Sequence, residues 1–335
     1  MHGYNTDSMQ QALAFLTAQA YKVNATVYAT VYPDWDFGRL IYVDSSGPAW
    51  VPGTITYMTD FSGKAEWQST GAKDIPLADV SGDFKMSTFH MAAIGYQYNL
   101  GELQQMIGMG LPLPTRRASA ARQAYTKFMF DLTLFGDTTK GLYGVCNNPN
   151  VPVIALPADG TGGVRFWVDE NGVGMKEPAK IVRDVNLMIQ GVAQSTFDTV
   201  YADTVLLPKE ALDYISGTPY SALTTETILS FILRTNLYTI RTGRQLTIRS
   251  FPELSTAATS TAAPSSAGLG RMVAYNNAPE YMKLNLPMPH QFLPVWQDGP
   301  MNWLVPGIFR TGGVEFMSTV AVRYADGVSE PAAVV

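Results

Sequence analysis

Cysteine is almost absent from this sequence. Cys146 is the only one, which excludes an internal disulfide framework and any CxxC metal site. Histidine is scarce as well. His2, His90 and His290 stand far apart, without the close HxxxH pair that zinc ligation favours. Charge is thin: 15% of residues are Asp, Glu, Lys or Arg, against ~25% in ordinary soluble domains. No basic run occurs, and 23 cations against 28 anions leave a net charge of −5, which argues against tight grip on a phosphate backbone. No apolar stretch reaches the ~18 residues that read as a membrane span. The opening MHGYNTDSMQQALAFLTAQ lacks the cationic start and long apolar run of a signal peptide. We find no internal repeat. The expectation is a soluble protein made in a cytoplasm.

What is present is apolar surface. Hydrophobic residues make up 46% of 335 positions, enough for two or three lobes with a substantial core. A chain this poor in charge reserves little surface for water, which is tolerable where much of that surface meets other chains. The N-terminal region opens with a short helical pattern over Met9–Ala20. It then turns aromatic and β-branched in VNATVYATVYPDWDFGRLIYVD. Two alternating segments, TITYMTDFSG and KMSTFHMAAIGYQY, flank a Gly-, Ser- and Asp-rich middle and predict a long two-stranded excursion. An isolated hairpin is marginal in water, so one of this length needs something to lie on.

The clearest helix follows Pro114-Thr115, with Thr115 as its expected cap. Ala118, Ala121, Tyr125, Phe128, Leu132 and Phe135 recur at three- and four-residue spacing and predict one apolar stripe. Tyr125, Phe128, Leu132 and Phe135 are its expected core residues. Gly136 is the expected stop, because glycine accepts the left-handed conformation that ends helices. Beyond it, PAKIVRDVNLMIQGVAQ places Ile181, Val185, Met188, Ile189 and Val192 on one helical face. DTVLLPKEALDYI reads as a buried strand running into a short helix, TTETILSFILRTNL as a helix capped by Thr224 or Thr225, and RQLTIRSF as a strand. STAATSTAAPSSAGLG is low-complexity and reads as an exposed loop. In GGVEFMSTVAVRYADG, Val314, Phe316, Ser318, Val320 and Val322 alternate as if along one strand face.

Catalytic and metal readings find little support in these residues. GDTTKGLYG has the glycines of a phosphate loop in the wrong order: it follows a helix C-terminus, whose dipole repels anions. Cys146 would need a histidine partner to act as a nucleophile, and the alternative is a small buried thiol. His90 and His290 read as hydrogen-bonded structural residues, and Asp34 and Asp36 of DWD as a strand-end turn, against a paired acid/base site or a weak cation site. No catalytic residue, cofactor site or metal site is assigned.

The order of elements carries more information than any single residue. YNLGELQQMIGMGLPLPTRRASAARQAYTKFMFDLTLFGDTTKGLYGVCNNPNV resembles the major capsid proteins of tailed bacteriophages and the related encapsulin shells, the Hong Kong 97-type fold. The resemblance rests on Glu102-Leu103 before a long helix, Gly136-Asp137 at its end, Gly141 to Gly144, and Asn148-Pro149. YADTVLLPKEALDYI and the closing GGVEFMSTVAVRYADGV are similar to later segments of that family.

The resemblance implies an α+β fold with an N-terminal arm (1–48), an extended β-loop (49–90), and a peripheral domain (91–178) containing a spine helix at about 115–136. It further implies an axial domain (179–270), with the 255–270 loop near a rotation axis, and return strands of the peripheral domain (271–335). Trp50, Tyr57, Phe61 and Trp67 are the candidate inter-subunit contacts. The implied role is a structural protein that self-assembles into pentamers and hexamers of an icosahedral shell around double-stranded DNA, without sequence-specific binding. Portal and scaffolding or decoration proteins would be its partners, the virion capsid its location and the host cytoplasm its place of assembly. In some members a loop lysine is joined to an asparagine of a neighbour; Lys64 and Lys73 lie in the corresponding loop, with no acceptor identified. The arm begins almost at residue 1, which implies either a separate scaffolding protein or a mature chain. The rival readings are an encapsulin-type compartment and a soluble hydrolase with an unrecognised site.

Overall fold

The computed structural model describes residues 35–67, 77–102, 113–259, 261–263 and 266–331. The helix expected over Met9–Ala20, the aromatic arm to residue 34, Lys73 and Leu103 lie outside the described residues. The chain divides into two compact units, residues 1–35 and 36–335, and the second is described here.

Helix α1 spans Leu113–Phe135. It starts two residues before the expected cap at Thr115, with Pro114 in the first turn, where a missing N–H breaks no helical bond. It stops where glycine permits: Gly136 has φ +66°, and a Cβ there would lie 2.2 Å from the Leu142 carbonyl oxygen. The single apolar stripe is corrected by the structure. In the first half Ala121 is buried and Tyr125 half-buried, whereas from Met129 to Leu134 every residue except Asp131 is buried. Leu132 belongs to that buried run. Phe135 is half-buried, and Phe128 is 42% exposed, with its ring 5.5 Å from that of buried Phe309 between centroids. The helix runs from the surface into the body, so a constant-environment periodicity cannot describe it. We therefore expect Leu134→Ala to cost about 2–5 kcal/mol and Phe128→Ala clearly less, as read by chemical denaturation of each variant.

The strap after α1 folds back onto the helix end. Asn147 accepts from the Gly144 amide at 2.8 Å and donates to the Phe135 carbonyl, filling the open helix terminus. Gly144 passes so close that a Cβ would meet the Leu134 carbonyl. GDTTKGLYG is thus a turn, with Asp137 accepting from the Thr139 amide at 3.0 Å.

A five-stranded sheet forms the centre. In spatial order its strands are Thr247–Phe251, Thr204–Pro208, Arg271–Tyr275, Val322–Asp326 and Val153–Ala155. The two outer pairings are parallel and the inner ones antiparallel. Thr204–Pro208 and Arg271–Tyr275 are buried along their whole length, which is why they read as continuous apolar runs instead of alternating ones. Helices α2 (Pro178–Ser195), α3 (Lys209–Gly217), α4 (Ile228–Thr235) and α5 (Leu237–Thr242) follow. The five predicted face residues of α2 are fully buried and belong to the same core as Val205, Leu207, Met272 and Ala274. The opposite set of strand residues meets α1 and its strap: Phe130 lies 5.5 Å from Phe251, and the Tyr324 hydroxyl donates to the Val145 carbonyl at 2.7 Å.

Other expectations change. The segment 179–270 does not close its own sheet, since three of the five strands come from 153–155, 271–275 and 322–326. The stretch 313–326 is no single strand: a 3-10 turn at Thr319–Ala321 splits it, and the halves Gly313–Phe316 and Val322–Asp326 serve different sheets. Thr227, not Thr224 or Thr225, caps α4, accepting from the Ser230 amide at 3.3 Å. The low-complexity loop is partly buried, because its hydroxyls and amides find partners. Ser266 donates to the Ala263 carbonyl at 2.6 Å, and the Thr259 amide donates to Asp326 at 3.1 Å.

A partly buried charge cluster ties α2 to the preceding loop. Lys176, with a fully buried side chain, meets Asp184 at 2.8 Å and Asp159 at 3.3 Å, and Arg183 bridges the same two carboxylates. A hydrogen bond from Arg183, opposed by partial burial and aided by Lys176, holds the Asp159 carboxyl down at about 2, below the ordinary 3.8. The folded value is the lower one, so this stabilisation is complete above about pH 4 and disappears as pH falls through about 2. Melting curves between these limits should show a smaller acid-induced drop for Asp159→Asn than for the unaltered protein.

Candidate inter-subunit surface

Gly53–Ser62 and Asp79–Thr88 form an antiparallel hairpin in continuous register from Gly53↔Thr88 to Ser62↔Asp79. The second strand begins at Asp79, inside the stretch expected to be a polar middle. Directly paired residues share a face, so the register sorts the side chains. One face carries Ile55 with Met86, Tyr57 with Phe84, Thr59 with Gly82, and Val80. The other carries Thr54 with Ser87, Thr56 with Lys85, Met58 with Asp83, and Ser81.

The polar face meets the body at the hairpin root. Thr56 donates to the buried Glu315 at 3.1 Å, and the Lys85 ammonium donates to the Phe316 carbonyl at 2.7 Å. Glu315 also accepts from Asn285 at 2.7 Å, so the carboxylate is held from two sides. Gly53 allows the two strands to close there, since a Cβ would lie 2.3 Å from the Ser87 carbonyl oxygen. Nearby, Arg310 donates to the Ala49 carbonyl at 2.7 Å and lies over the Trp50 ring at 5.8 Å.

The apolar face is left in solvent. Tyr57 is 77% exposed and Phe84 64%, with Ile55, Val80 and Met86 each more than half exposed. Of the four predicted contact residues, Trp50, Tyr57 and Trp67 are exposed; the Phe61 side chain lies outside the described set, although its backbone pairs with Val80. Sequence reasoning missed Phe84, Met86 and Val80, which needed only the register to be found. A further apolar group, Val295, Trp296 and Met301, stands exposed at the three-stranded sheet of Tyr96–Asn99, Asn302–Val305 and Trp296–Gln297. There Tyr98 stacks on Trp303 at 5.8 Å.

The residues considered for chemistry are occupied structurally. Cys146 is buried, and burial pushes its thiol up to about 12, against the attraction of Arg271. It should resist a maleimide at pH 8 in native protein and react fully once denatured, a difference read by mass spectrometry. His290 stacks on Tyr125 at 5.1 Å, and its Nε2 lies 3.1 Å from the Ile94 carbonyl oxygen. His90 lies 3.3 Å from the Thr88 hydroxyl. Asp36 accepts from the Gly38 amide at 3.1 Å and pairs with Arg39. Lys64 is exposed near Glu66. Among the described residues, no cluster of His, Cys, Asp or Glu is arranged to hold a metal ion, and no helix is long and apolar enough to cross a membrane.

A long surface-to-core helix, a helix-covered sheet and a hairpin whose apolar face is bare define a subunit with apolar surface left over for contact. The chain matches the family model of the major capsid protein over residues 63–328, and it belongs to that family. Its fold is the Hong Kong 97-type capsid fold, shared with solved capsid structures of low sequence identity. That of Myoviridae phage XM1 is 16% identical, with 93% of this chain and 98% of that chain covered and a TM-score of 0.74. The capsid of a native GTA particle is 8% identical, with coverages of 92% and 95% and a TM-score of 0.60. A Mycobacterium phage Ogopogo structure is 10% identical, with coverages of 92% and 98% and a TM-score of 0.53. A comparison with curated proteins finds no match. The chain is a structural protein of a multi-subunit phage shell and its place is the virion capsid; the encapsulin-type alternative is not favoured.

Proposed function

We propose that this subunit self-assembles into pentamers and hexamers of an icosahedral head, with the apolar face of the hairpin seated on a neighbouring copy. The observation that carries this reading is the division of the hairpin by register: its polar face is tied to its own body, and its aromatic face is in water. Ordering an extended ribbon costs about 1–2 kcal/mol per residue. Covering apolar area, at about 25 cal/mol per Å², is the available offset, and a second copy supplies it.

In this reading α1 and the strands at 90–99 and 288–316 form the peripheral part of the subunit, and the five-stranded lobe is the axial part. The shell encloses double-stranded DNA without sequence-specific contacts, and the net charge of −5 suits a wall that holds its contents loosely. Portal and scaffolding or decoration proteins complete the particle, assembly takes place in the host cytoplasm, and the subunit has no catalytic activity. Electron microscopy of the purified protein tests the reading. Closed particles of uniform diameter are expected; a stable monomer or dimer under all assembly conditions would overturn it.

A further inference from the structure

We propose that the helix-covered lobe carries a knob and a groove that join copies of this chain head to tail. The turn at Leu223 of one copy seats in the groove between α2 and α5 of the next. This rests on the shell reading and adds which surfaces meet within a ring of subunits.

The knob is a short, internally braced loop between α3 and α4. Pro219 and Thr227 form a bridge, the Tyr220 amide donates to the Glu226 carbonyl at 2.8 Å, and Thr224 closes the apex by donating to Ser221 at 3.1 Å. Tyr220 stacks flat on Phe231 at 4.0 Å. This frame presents Leu223 with 95% of its surface in solvent. The stretch TPYSALTT, residues 218–225, contains no charged side chain. A braced, neutral loop with a leucine at its tip is costly to hydrate and loses little freedom on docking.

The groove has a volume of about 430 Å³ and lies at the other end of α4, whose last residue, Thr235, lines it. Gln190 and Gln194 of α2 stand on one side, Leu237 and Ile240 of α5 on the other. Ile240 is 69% exposed. Asp198 also lines the groove, and its neighbour Phe197 is almost wholly exposed. Both have positive φ, +52° for Phe197 and +60° for Asp198, a backbone that side-chain-bearing residues adopt reluctantly and that concentrates at functional surfaces. It leaves an aromatic ring in solvent one residue from a groove-lining position.

The two features suit each other. The leucine would pack on Leu237, Ile240 and Phe197, while the carboxamides of Gln190 and Gln194 face the hydroxyls and amides of the incoming turn. The eight residues of α4 span about 12 Å, and the braced turn does not fold back over that length into its own groove. A knob and a groove at opposite ends of one element make a heterologous contact, which closes into rings when repeated about a rotation axis.

Leu223→Asp and Ile240→Asp change exposed positions and should keep the melting temperature of the unaltered protein, while lowering particle yield at least about tenfold. Phe197→Gly should melt at the same or a higher temperature, because glycine accepts the positive φ, and still lose yield. In assembled particles carrying Leu223→Cys together with Ile240→Cys, a short bismaleimide should link copies into a ladder; buried Cys146 gives no background. Asp variants that assemble at full yield, or Cys-pair particles that do not link, would overturn the contact and leave the shell reading standing. An unaltered protein that never forms particles would overturn the shell reading, and this contact with it.

Discussion

Replacing Tyr57–Phe84 by a two-residue Asn-Gly turn will leave a folded subunit that no longer assembles. The replacement keeps Thr56 and Lys85, so Glu315 retains both donors and the Phe316 carbonyl its ammonium. It removes the paired Tyr57 and Phe84 rings and Val80, all exposed in the isolated chain. Folding should therefore be nearly unaffected, because these side chains contribute little to the core of their own subunit. Assembly should fail outright, since each aromatic or aliphatic side chain fully buried at a contact contributes about 1.5–3 kcal/mol and a shell repeats the contact in every copy. Size-exclusion chromatography with a melting curve separates the two effects. Normal particles from this variant would show that the hairpin face is not the contact, and a collapsed melting temperature would show that the hairpin belongs to its own subunit's core.

Arg271→Met will be among the most destabilising single changes in the chain. The Arg271 guanidinium grips Asp326 through two bonds, Nε to Oδ1 at 2.6 Å and Nη2 to Oδ2 at 2.9 Å. It also donates to the Cys146 carbonyl at 2.8 Å and to Thr259 at 2.9 Å. Arg271 and Asp326 face each other across adjacent strands, and both are buried. One cation therefore ties together the central sheet, the strap after α1 and the low-complexity loop. Its loss leaves a carboxylate in the interior that, among the described residues, keeps hydrogen bonds from Thr259 alone, and breaking a buried pair in this way costs about 3–5 kcal/mol. The double change Arg271→Met with Asp326→Leu should recover part of that loss, since it removes the stranded charge. Denaturant midpoints of the two single variants and the double variant give the coupling; no coupling would mean that the pair acts independently.

Much of this architecture was legible in local pattern. The stop of α1 at Gly136, the buried face of α2, the strand at Thr204–Pro208 and the hairpin itself follow from periodicity and from glycine and proline chemistry. Such signals depend on neighbours a few residues away. The Thr227 cap was missed because three threonines compete in TTET, and only the backbone turn at Ser221–Thr224 decides among them. Phe128 was misplaced because its surroundings change along α1. Register was the largest gap: Val80, Phe84 and Met86 become contact candidates only when set opposite Phe61, Tyr57 and Ile55.

Composition and periodicity determined that this chain has apolar surface to spare and a long helix with a glycine stop, because each is a property of short sequence windows. Tertiary structure alone decided which strands share the central sheet, where Arg271 finds its carboxylate and which side of the hairpin is left bare. These depend on residues tens to hundreds of positions apart, and no local propensity encodes which of them will meet.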